Sequence, residues 1–140
     1  MVKLTAMNFL ALVLFVAVPA SASLTAEDFS VYSLGSIRYS HSDFEGRTGA
    51  AGDVRFDNFS LGAKLARGES ALIVGGSADL SDGRVLHGGV RAGGRVRTAR
   101  VELRGAAVER SGDGGELAAV SRELLADADL LASLPEDGTE

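Results

Sequence analysis

Apolar and polar residues alternate in short runs along most of this chain, and glycines close those runs. Val54 and Phe56 share one parity while Asp53, Arg55 and Asp57 share the other, the period of a strand with one buried face. Phe59 and Leu61 continue the inner row after a break at Asn58, and 62–69 is polar and turn-like. Ala71 to Val74 is continuously apolar, after which Ala78 and Leu80 alternate with Ser77 and Asp79. Asp82-Gly83 reads as a turn. Val96 and Thr98 share one parity but Ala99, Val101 and Leu103 share the other, so a bend or bulge is expected near Thr98-Ala99. Upstream, Phe29 to Gly35 reads as a strand closed by glycine, and Ser36 to Ser42 as a short strand or an exposed loop.

Three segments align as an imperfect repeat: Ala51-Gly52-Asp53-Val54, Gly75-Gly76-Ser77-Ala78 and Gly93-Gly94-Arg95-Val96. Each is a small residue, glycine, a polar residue and an inward-facing one, and the glycines are 24 and 18 residues apart. Repeats of that length suit the coils of an irregular β-solenoid, with a compact β-sandwich as the alternative. The predicted corners are Gly46, Gly52, Gly75, Gly76, Gly88, Gly89, Gly93 and Gly94, where glycine would reach φ > 0 without penalty. Glu116 to Leu134 contains no Gly, Pro or Thr and predicts a helix stopped by Pro135. Its stripe of Leu117, Val120, Leu124, Ala128, Leu131 and Leu134 should pack along the solenoid or over its open end. The fold expected is therefore mainly β with one long C-terminal helix.

The N-terminus changes how much of the chain folds. Lys3, the apolar run Phe9 to Val18 and the small residues Ala20-Ser21-Ala22 form a signal peptide pattern with cleavage expected after Ala22. One domain follows over 23–140, divided into a solenoid at 23–110, a linker at 111–115, the helix at 116–134 and a tail at 135–140. Cleavage removes one lysine and no acid, taking the net charge from −5 to −6. An acidic exported chain has no overall attraction for nucleic acid or an anionic membrane. It has no cysteine, so its stability rests on packing without disulfides.

Chemical motifs are sparse. His41, Asp43 and Glu45 read as a solvated loop rather than a metal site, and no nucleophile accompanies His87 at a recognisable spacing. The glycine pairs lack the pattern of a phosphate-binding loop, and Leu134-Pro135-Glu136-Asp137-Gly138 lacks the threonine of a sorting signal. No catalytic residue, metal ligand or cofactor site is assigned. Arg91, Arg95, Arg97, Arg100 and Arg104 are a solvated face or a docking patch for an anionic partner. Asp53 and Arg95 share one position of the repeat, and Arg55, Asp79 and Arg97 the next, so their convergence in a cleft would favour a polysaccharide-processing enzyme over a scaffold.

These glycine elements, with Tyr32-Ser33-Leu34-Gly35, Asp43-Phe44-Glu45-Gly46-Arg47, Leu72-Ile73-Val74-Gly75-Gly76 and Ser133-Leu134-Pro135, resemble the choice-of-anchor A family of bacterial exported proteins. Two departures are visible: Ala51-Gly52 stands where that family shows a glycine pair, and family members continue past the helix with strands and an anchor. The resemblance implies a C-terminally shortened, adhesive β-solenoid, similar in plan to ice-binding solenoids with a helix alongside. The expected role is a secreted or cell-surface adhesion module, without enzymatic activity, that binds an extracellular matrix protein or polysaccharide. No nucleic acid partner and no membrane span after signal cleavage are expected. The alternatives are a polysaccharide-processing or carbohydrate-binding β-helix and an ice-binding-like surface, which would want outward rows of threonine.

Overall fold

A computed structural model describes residues 23–104, 108–109 and 115–135. The segment 1–22 read as a signal peptide, most of the expected linker and the tail beyond Pro135 lie outside the described residues. Strands β1 (Val31–Ser33), β3 (Thr48–Ala50), β5 (Ser70–Val74), β7 (Gly89–Ala92) and β9 (Val108–Glu109) form one sheet in that order. Strands β2 (Ile37–Phe44), β4 (Val54–Leu61), β6 (Ala78–Val85) and β8 (Val96–Leu103) form a second. Every pairing is parallel. The chain thus winds as a β-solenoid of four coils, each giving a short strand to one sheet and a long strand to the other, and β9 adds a last short strand to the first sheet. The segment at Ser36 to Ser42, ambiguous in the sequence, is largely strand β2.

Inward side chains stack coil on coil. Val54 pairs with Ala78 and Ala78 with Val96, so the three share one column. Phe56 and Leu80 are fully buried in the next column. The Phe56 ring stacks on Phe44 at 5.1 Å between centroids and lies 5.9 Å from Phe59. Leu61, Leu72, Val85 and Val90 complete the interior.

Asp82-Gly83 is no turn between strands; it lies inside β6. Asp82 has φ +50°, and His41, Asn58 and Arg100 have φ +59°, +50° and +55°. All four occupy the register position that the strand pairings skip. One left-handed residue per coil advances the alternation by one, moving the inward row from Val54 and Phe56 to Phe59 and Leu61. Asn and Asp tolerate this backbone better than most residues. The repair expected near Thr98-Ala99 is therefore found at Arg100, aligned with its three counterparts.

Helix α1 (Gly115–Ser133) takes in the last residue of the expected linker. It lies against the outer face of the five-stranded sheet, not over the open end. The Tyr32 hydroxyl donates to the Leu117 carbonyl (2.9 Å) and lies 2.8 Å from Ser121 Oγ, while Arg91 pairs with Glu116 at 3.1 Å. Ile73 faces outward, between the inward Leu72 and Val74, yet is buried, as are Leu117 and Val120. From β7 to β1 is three inter-strand spacings, about 14 Å, a distance that about ten helical residues cover. The apolar stripe is accordingly buried only at its start: Leu131 and Leu134 are 67% and 56% exposed.

Candidate functional site

The site is built on the corner that leads from the short strands into the long ones. Three columns cross it: Leu34, Ala51, Gly75 and Gly93; then Gly35, Gly52, Gly76 and Gly94; then Ser36, Asp53, Ser77 and Arg95. In the glycine column each N–H donates to the carbonyl of the coil before it, Gly52 to Gly35 at 2.9 Å, Gly76 to Gly52 at 3.0 Å and Gly94 to Gly76 at 2.8 Å. In the polar column a side-chain oxygen takes over as acceptor. The Asp53 N–H donates to Ser36 Oγ (2.9 Å), Ser77 N–H to Asp53 Oδ1 (2.8 Å) and Arg95 N–H to Ser77 Oγ (3.1 Å). Arg95 carries no acceptor, so it closes this ladder.

The corner glycines owe their presence to crowding rather than to an unusual backbone. A Cβ on Gly75 would stand 2.3 Å from the Ala51 carbonyl oxygen, and one on Gly93 2.4 Å from that of Gly75. Of the eight predicted corner residues only Gly88, just ahead of β7, has a left-handed φ, +79°. The expectation of φ > 0 at Gly52, Gly75, Gly76, Gly93 and Gly94 is therefore corrected: parallel coils approach too closely there for any side chain. Gly46 lies at another corner, between β2 and β3, and Gly89 is the first residue of β7.

Just past the corner, strand register brings Arg38, Arg55, Asp79 and Arg97 into one outward row. With Asp53 and Arg95 they line an open groove of about 420 Å³. Asp53, Arg55, Asp79, Arg95 and Arg97, separate in the sequence, thus share one concavity. Asp53 is engaged by Ser77. Among the described residues, the guanidinium groups of Arg38, Arg55, Arg95 and Arg97 make no hydrogen bond or ion pair within the chain.

The five-arginine patch expected from sequence is divided by the fold. Arg91 lies on the other sheet, half-buried against Glu116. Arg100 pairs with Asp82, and the hydrogen bond holds the Asp82 carboxyl below its ordinary value of 3.8. Arg104 pairs with Glu102 at 2.8 Å, which likewise lowers the Glu102 carboxyl. Only Arg95 and Arg97 enter the groove. The repeat does not single out Arg38, because its corner, Leu34-Gly35-Ser36-Ile37, opens on a leucine rather than a small residue. Its spacing of 17 residues from the next corner glycine was the available signal.

The other candidates stand apart from the groove. His41 occupies the left-handed column, Asp43 lies in β2 and Glu45 pairs with Lys64. His87 lies between β6 and β7, its carbonyl oxygen against Gly62.

The described residues thus form a β-solenoid flanked by a helix, with the helix against one sheet and the outer face of the other sheet open and lined with arginine. A family model described as a putative ice-binding-like adhesive domain matches residues 22–140, and the chain belongs to that family. Comparison with curated proteins and with solved structures returned no match. Among the described residues no helix is long and apolar enough to cross a membrane.

Proposed function

We propose that this chain is a non-enzymatic adhesion module, exported and displayed outside the cell, that makes contact through the outer face of the β2-β4-β6-β8 sheet. Membership of an adhesive-type family supports the role, and the resemblance to choice-of-anchor A proteins agrees with an exported setting. The observation that carries the choice of face is the groove in which four arginines have no partner among the described residues, since structural arginines are ordinarily paired. An ice-binding use of the same face is disfavoured. Its outward rows hold Arg, Asp and Ser, whereas Thr48 is buried in the other sheet and Thr98 belongs to the inward row of β8. The convergence of Asp53, Asp79 and the arginines is also what a polysaccharide-processing enzyme would show. Because Asp53 is tied to the Ser77 N–H, we take carbohydrate binding as the particular form of adhesion.

The absence of cysteine allows a face-by-face test. A polyethylene glycol chain attached at Ser40→Cys would cover the proposed face, and one at Ala126→Cys would sit on the distal helix; both positions are exposed. Beads carrying the first conjugate should lose retention on immobilised extracellular polysaccharide, while beads carrying the second should keep it. Retention blocked only from the helix side, or seen on no matrix at all, would overturn the proposal.

A further inference from the structure

Given that adhesive role, we infer that the groove grips an acidic polysaccharide, a chain of sugar rings bearing spaced carboxylates, laid across the coils from Arg38 toward Arg97. Guanidinium groups present a planar fork of donors that matches a carboxylate. Those of Arg38, Arg55, Arg95 and Arg97 have no competing partner among the described residues. Parallel strands set successive positions of the row about 4.8 Å apart. A sugar chain advances by about one such spacing per ring, so rings lying across the strands meet one coil each.

Asp79 decides between classes of polyanion. It stands in register between Arg55 and Arg97, so the row presents two cations, one anion and one cation. A polymer with a charge every ~1.7 Å, as in duplex nucleic acid, would set a phosphate against that carboxylate. It would also meet a chain whose net charge is −5. In an extended acidic polysaccharide successive rings turn over, so the ring between two carboxylates that face the row turns its own carboxylate away and offers hydroxyl groups. Asp79, an acceptor with no side-chain partner among the described residues, takes a hydroxyl proton there while the flanking arginines take the carboxylates.

Polygalacturonate and its fully methyl-esterified form serve as probes, with binding measured by calorimetry at low and physiological salt. The wild type should bind the acid form, bind the ester far more weakly, and lose affinity as salt rises. Arg55→Gln combined with Arg97→Gln should weaken binding about tenfold. Arg104→Gln, whose arginine is already paired with Glu102 outside the groove, should bind as the wild type does. Equal binding of acid and ester, an unaffected double variant, or tighter binding to duplex DNA than to the polysaccharide would overturn the inference. In each case adhesion through this face could still hold. A wild type retained on matrix protein but on neither glycan would also sink the inference alone, whereas retention nowhere would sink the adhesion reading with it.

Discussion

Phe56→Ala should destabilise the fold by about 3–5 kcal/mol, the usual cost of emptying a buried aromatic site. Phe56 is fully buried and touches aromatic rings in its own coil and the coil before it. The neighbouring coils cannot close the gap, because their backbones are fixed by ladders on both sides. A domain of this size has about 5–15 kcal/mol in all, so the loss is a large share of the total. Urea denaturation should show a lower midpoint with an unchanged slope. A shift below about 1 kcal/mol would mean that Phe56 is not at the centre of a packed interior.

Gly75→Val acts by the opposite route, adding atoms where there is no room. Its Cβ would fall 2.3 Å from the Ala51 carbonyl oxygen, and the obstacle is backbone, which cannot swing aside. Such overpacking costs about 1–3 kcal/mol, occasionally more. The damage should reach the groove as well. Forcing the second and third coils apart at Gly75 stretches the bond from Ser77 N–H to Asp53 and separates Arg55 from Asp79. Gly35→Ala is the control, since no atom lies within 4 Å of the added methyl and the backbone there is not left-handed; it should be neutral or slightly stabilising. Equal melting temperatures for Gly75→Val and Gly35→Ala would refute the crowding account.

How much of this was legible depends on which forces the sequence records. The inward rows were, because Val54, Phe56, Phe59 and Leu61 or Ala78 and Leu80 announce their parity within one strand. The small-Gly-polar-apolar corner was also visible, since close backbone approach leaves glycine as the only fitting residue. Asp82-Gly83 misled because the same residue types suit a reversing turn and a single left-handed step within a strand. What separates them is the alignment of Asp82 with His41, Asn58 and Arg100, visible only once the coils are stacked. The helix stripe was periodic along its whole length, but how much of it is covered depends on the width of the sheet beneath, which no local pattern encodes. The groove was half-readable: Arg55, Asp79 and Arg97 follow from the repeat, while Arg38 required the first coil.

Cross-strand proton contacts in an isotope-labelled sample test the stacked parallel coils most directly. The side chain of Ala78 should show contacts to both Val54 and Val96, and its strand should show them at a constant parallel register on either side of the left-handed step at Asp82. Contacts from Ala78 to one of these residues but not the other, or a pattern of antiparallel pairing between β4 and β6, would contradict the coil stack and the groove built on it.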